Sequence, residues 1–485
     1  MSLLTLVAFA GVLVVFSSLH WRWAFCGSLI VAVFEGALRK WALPAAGNFI
    51  YFAKDLLLMG AYLGFCFAPR SAQEVKLPES LSVSLWMAVG VLGLQLFNRN
   101  SNSFLVSLIG LKPYFFYLPM LYLTRHVFRS REEFLGFLNA FLLLAIPVFL
   151  LGAFQFTQPP DSVWNKYAHE GSEENIATLG EGGEFARITA TFSYITGLTT
   201  YIVVVLAFAV PLFLHERNHA RKYALASVIV LAIGNTFMSG SRAPGLGVLL
   251  LLGGLFAGSA FLGTPAERRK SPWIIGIGAF AVVAAVLLFN RAALAIRDRA
   301  VEGAEEGRGR IASCFTEPWQ FVPQGGYFGY GAGLTLGPTA GLQNALRLPG
   351  PNEAPPPAEV ESTRVMLELG LPGFLAWYVS RCLLLWHLYR TWRSLRDTAL
   401  RQIALCALIA SFFFLSTGTV VNHLAGLFAG FLGGFVTLLP GLEEQSSLPA
   451  QPDVAEQVDG RRRRKLRGRL PNDSLRRRLQ FSGLF

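Results

Sequence analysis

Two arginines stand where long apolar segments end: Arg187 in Phe185-Ala186-Arg187-Ile188-Thr189-Ala190-Thr191-Phe192, and Arg242 in Met238-Ser239-Gly240-Ser241-Arg242-Ala243-Pro244. A guanidinium at the mouth of a membrane helix is expensive to desolvate, so it reaches for water or holds an anion. Phosphate suits a pair of such groups. Guanidiniums bond its oxygens bidentately and stabilise the charge that builds on a departing diphosphate. A second constellation is Glu359-Val360-Glu361-Ser362-Thr363-Arg364, with Glu368 one turn further on. Glu361 and Arg364 share a face if this turn is helical. Glu359 and Glu361 are candidate general bases for an attacking hydroxyl, or acids favoured at a helix start by the dipole. Arg364 is either their partner or a third phosphate ligand.

Supporting candidates lie elsewhere. Glu35, Arg39 and Lys40 interrupt the early apolar segments, either to bind an anion or as a Glu35–Arg39 pair at i,i+4. Lys54 and Asp55, inside the third apolar segment, need a partner or a cavity. Tyr330 lies in the glycine run 325–333, which reads as a loop-shaping device and matches no nucleotide-binding loop. His423 follows Asn422 at a turn between two late apolar segments, and His169 stands alone in a polar stretch. No histidine–cysteine–carboxylate spacing suggests a metal and no ATP motif appears, so no cofactor is expected.

The elements that must position these residues are membrane helices. The chain is 53% hydrophobic and 15% charged, against about 25% charge in soluble chains. Apolar runs of spanning length recur throughout, without the alternation of a membrane barrel. The expected fold is all-α, a polytopic membrane bundle of about 12–13 helices with a large periplasmic loop. The spans fall near 4–19, 22–37, 50–68, 81–97, 104–122, 133–154, 193–213, 221–237, 244–262, 273–290, 363–387, 402–418 and 421–439. Basic clusters near 125–131, 217–222, 268–270 and 390–401 are separated by even numbers of spans, which assigns them all to the cytoplasm. The candidate residues then face the periplasm, on loops 155–192 and 291–362, the second far longer than a connector needs. Residues 1–440 form the transmembrane domain. Residues 441–485 form a basic cytoplasmic tail, expected to be partly disordered. Ten basic residues between 461 and 478 supply most of the net charge of +12 without aromatic interleaving. They point to anionic membrane lipids as partners and not to nucleic acid.

Three segments resemble motifs of the bacterial O-antigen ligase and O-antigen polymerase superfamily. The stretch 185–192 is similar to its Arg-x-x-Gly-Thr-Phe, with Ala190 where the pattern has glycine. The stretch 238–244 is similar to its Ser-x-Ser-Arg segment. Residues 329–333 followed by 368–373 resemble the Gly-x-Gly…Glu-x-Gly-x-x-Gly end of its large loop. The likeness spans about residues 130–440 and implies a metal-independent, inverting glycosyltransferase of the bacterial inner membrane. Its donor would be an undecaprenyl-diphosphate-linked oligosaccharide, its acceptor a glycan hydroxyl, and other polysaccharide-assembly proteins its further partners. Arg187 and Arg242 would take the diphosphate roles. The family's His-Asn is absent: nine residues before Glu368 stands Glu359. This departure favours an exopolysaccharide or surface-polysaccharide polymerase over an O-antigen ligase acting on a lipid A core. A lipid-linked glycan transporter or flippase is the remaining alternative, for which related halves with broken helices are expected.

Overall fold

The computed structural model describes residues 3–68, 76–168, 176–179, 183–288, 290, 294, 304–336, 339, 343–344 and 346–447; His169 and the basic residues 461–478 lie outside them. The order is α1 (Leu3–Leu19), α2 (Trp21–Ala37), α3 (Gly47–Phe67), α4 (Glu79–Gly93), α5 (Phe104–Phe115), α6 (Met120–Val127) and α7 (Arg131–Thr157). Then follow α8 (Ile195–His215), α9 (His219–Met238), α10 (Arg242–Phe261), α11 (Pro265–Leu288), α12 (Ala304–Gln320), α13 (Glu361–Ser394), α14 (Thr398–Thr417), α15 (His423–Gly433) and α16 (Phe435–Ser447). Among the described residues the strands are β1 (Thr178–Leu179) and β2 (Phe185–Ala186), antiparallel with Thr178 opposite Ala186.

Helices occupy every expected apolar segment. Among the described residues ten helical stretches are long and apolar enough to cross a membrane, and the bent pair α5–α6 makes an eleventh. The structure falls short of the expected 12–13 at two places. Helix α1 has only 17 residues. Helix α9 carries Arg221 and Lys222 near its start and buries Asn235 and Thr236 near its end. The chain is thus an all-α polytopic bundle. Helix α8 is its axis, with every residue from Leu198 to Leu212 buried. An apolar stretch with no polar face belongs in the middle of the bundle. Helices α4 and α11 expose Trp86, Met87, Phe280 and Leu287, as lipid-facing helices should.

Local signals start the helices. Ser103, Ser130, Asn218, Asp397 and Asn422 each accept a bond from a backbone N–H of the first turn. Prolines break one of them: α5 carries Pro113, Pro119 precedes α6, and the two helices meet at 51°. Helix α13 is interrupted at Gly370 (φ 66°, ψ −177°), so it is two helices joined end to end. Helix α2 ends in a π-turn, Leu38–Ala42, which carries Arg39 and Lys40. At the opposite end of the bundle Arg131 pairs with Asp397 at 3.0 Å and Arg401 with Glu267 at 3.2 Å.

Candidate functional site

Two segments singled out in the sequence dock on one another. The backbone of residues 191–193 runs so close to Gly36 that a Cβ there would collide with the Ser193 nitrogen. Thr191 Oγ1 donates to the Val33 carbonyl at 2.6 Å. Arg39 donates to Ser193 Oγ at 3.0 Å, and Lys40 donates to Thr189 Oγ1 at 3.0 Å and the Ala190 carbonyl at 2.6 Å. Ala190 sits in the left-handed region (φ 49°). Its N–H donates to Gln155 Oε1 at 2.7 Å, while Gln155 Nε2 donates to the Ala190 carbonyl at 3.2 Å. A buried glutamine on α7 thus holds the bend that carries Arg187.

Arg187 leaves this bend toward the turn between α9 and α10. Its Nε donates to the Ser239 carbonyl at 3.1 Å. Gly240 (φ 59°) leaves room for the side chain, since a Cβ there would stand 3.0 Å from Arg187 Cγ. Arg242 begins α10 two residues later. The two arginine motifs therefore meet through this turn. Tyr167 donates its hydroxyl to the Arg187 carbonyl at 2.9 Å. Burial pushes this phenol up to about 12, with the Arg187 charge pulling the other way.

Behind the docked segments lies a buried ionic cluster. Glu35 pairs with Lys54 at 2.6 Å and with Arg39 at 3.6 Å, the i,i+4 pair expected from the spacing. Asp55 pairs with Lys112 at 2.5 Å and accepts the Tyr117 hydroxyl at 2.8 Å. The break between α5 and α6 supplies both partners. Lys54 and Asp55 thus find partners across the bundle. His423 joins the cluster with its ring edge-on to Tyr51 at 5.6 Å. The cap of this helix is its neighbour Asn422, whose Oδ1 accepts from the Ala425 N–H at 3.2 Å.

The carboxylates near residue 360 divide. Glu361 accepts bonds from the N–H groups of Thr419, Val420 and Val421 at 2.8, 2.8 and 3.0 Å. A carboxylate so engaged ties α13 to the turn before α15. Arg364 does not take Glu361 as its partner. It donates to the carbonyls of Ala358 at 2.8 Å and Thr335 at 3.1 Å. Glu368 is buried and accepts from the Tyr114 hydroxyl at 2.8 Å and from Thr335 Oγ1 at 2.5 Å. Glu359 is exposed. Tyr330 serves through its backbone, its N–H donating to the Leu367 carbonyl at 2.7 Å and its carbonyl accepting from Asn100 at 2.8 Å.

The glycine run shapes backbone contacts. Cβ atoms on Gly329 and Gly370 would each strike the opposing chain at 2.5 Å, and one on Gly333 would strike Gly110. Sequence reasoning missed the residues that sew this loop down. Asn98, Asn100 and Asn102 bond Gly329, Glu353 and Gly350 carbonyls at 3.1, 2.9 and 3.0 Å. Their signal was the alternating asparagines of 98–102. The same loop borders an open recess of about 320 Å³ lined by Asn100, Gln324, Tyr330, Asn352 and Glu353. Arg381 was also missed, although it stands mid-span. Its guanidinium lies over the Trp377 ring at 4.2 Å. Among the described residues no group of three histidines, cysteines or carboxylates could hold a metal ion. A comparison with models of known protein families finds no match, and neither does a comparison with curated proteins.

Proposed function

We propose that the chain is a glycosyltransferase of the bacterial inner membrane that polymerises or transfers a polyprenyl-diphosphate-linked glycan at the periplasmic face. The observation that carries this reading is the meeting of the two arginine motifs, with Arg187 bonded to the Ser239 carbonyl and seated on Gly240 beside the start of α10. A diphosphate held there gains charge as the anomeric bond breaks, and fixed guanidiniums stabilise that charge more than the ground state. The positive φ of Ala190 supports the likeness to the O-antigen ligase and polymerase superfamily, whose pattern has glycine at that place. Glu359 and Glu361 are the candidates to take the acceptor proton, and Glu359 is the more exposed of the two. The polar recess beside Tyr330 offers amides and a carboxylate of the kind that bond sugar hydroxyls.

The test is a reaction of purified protein with a polyprenyl-diphosphate oligosaccharide in the absence of metal. Longer chains on the lipid mark a polymerase, and transfer to a separate glycolipid marks a ligase. Arg187→Ala and Arg242→Ala should each lower turnover by roughly 10²–10³-fold. Full turnover in both variants removes the diphosphate clamp.

A further inference from the structure

Around Tyr51 the chain gathers more positive charge than it neutralises. Arg39, Lys54 and Lys112 lie over this ring at 5.2, 4.4 and 5.5 Å from its centroid. Against these three cations stand two carboxylates, Glu35 and Asp55. Lys40, next in the chain to Arg39, is buried on the neutral oxygens of Thr189 and Ala190. Cations crowded on one ring repel, and an uncompensated buried charge costs several kcal/mol. Two polar atoms beside the excess are buried without a hydrogen-bond partner, Arg39 Nε and His423 Nδ1. The edge of the cluster is open, since the side chains of Arg39 and Lys112 are 14% and 17% exposed.

We propose that this cluster is a second anion subsite, in addition to the Arg187–Arg242 turn, and that it takes the oxygens of a phosphate or diphosphate group. Arg39, Lys112 and His423 come from three separate elements and all pack on the Tyr51 ring, at 5.2, 5.5 and 5.6 Å. Lys54 is enclosed, bonded to Glu35 and to the Tyr51 carbonyl, whereas Arg39 and Lys112 keep part of their side chains open, so these two carry the recognition. A multiply charged anion answers the excess and meets the two unpartnered nitrogens. Assigning that anion to a lipid-linked diphosphate rests on the function proposed above; the existence of the subsite does not.

The experiment uses the full chain in nanodiscs, with inorganic pyrophosphate as the probe and calorimetry at low ionic strength as the readout. Binding should weaken at least about tenfold in Arg39→Gln and in Lys112→Gln, and stay unchanged in Lys270→Gln at the other end of the bundle. A wild-type chain that binds no pyrophosphate overturns the subsite. So does a chain whose binding falls only with Arg187→Gln or Arg242→Gln, an outcome that leaves the proposed function standing. Should the glutamine variants not fold, the wild type decides: pyrophosphate must slow acylation of the Lys112 amine, read by mass spectrometry, and equal rates overturn the proposal. Polyprenyl diphosphate placed in the nanodisc identifies the source. Displacement of pyrophosphate assigns the subsite to the lipid headgroup, and retention assigns it to free phosphate.

Discussion

A methyl group on Gly240 would stand 3.0 Å from Cγ and 3.2 Å from Nε of Arg187, so the turn before α10 is shaped around that arginine. The positive φ of 59° adds backbone strain for any other residue. Gly240→Ala should lower kcat/KM for the lipid-linked donor by about tenfold or more while the fold persists. Combined with Arg187→Ala it should cause little further loss, because both changes act on one side chain. Losses that simply multiply in the double variant contradict the contact.

Ala190 is held left-handed by Gln155. Glycine removes the strain of that conformation and a β-branched residue worsens it. Ala190→Gly should therefore be neutral or stabilise by up to about 1 kcal/mol, and Ala190→Val should destabilise by roughly 1–3 kcal/mol. Thermal unfolding in detergent measures the order, and the reverse order rules out the αL assignment.

The two acids near residue 360 should separate cleanly. Glu361→Gln places an amide against three backbone N–H groups and should destabilise by about 2–3 kcal/mol. Glu359 is exposed, so Glu359→Gln should change stability by less than about 0.5 kcal/mol and lower turnover by roughly 10²-fold if it takes the proton. Wild-type turnover in Glu359→Gln removes it from the chemistry.

Burial raises the Tyr167 phenol from 10.0 to about 12. The folded state therefore favours the protonated ring. This stabilisation is whole below pH 10 and disappears as pH climbs toward 12. In a difference-absorbance titration, Tyr167→Phe should lack one phenolate that appears near pH 12. A missing transition near pH 10 would place the ring in water.

Much of the architecture was legible because membrane spans are written as uninterrupted apolar runs, and each such run is a helix. The Glu35–Arg39 pair was legible too, being local. What pairs with Lys54 or Asp55 was not, since Lys112 comes from a helix broken by Pro113 and Pro119, and no local pattern gives the direction of a break. The partners of Glu361 were not legible for a similar reason: the N–H groups of residues 419–421 arrive from 58 to 60 positions away.

The broken α5–α6 rod faces two ways. Lys112 and Tyr117 hold Asp55, Tyr114 holds Glu368, and Gly110 lies flat on Gly333. Lys112 and Tyr114 are two residues apart on a helix and so point to nearly opposite sides. The rod is a crank shared by the glycine loop and the cationic cluster: no turn of it can re-seat the loop without also swinging the ammonium of Lys112.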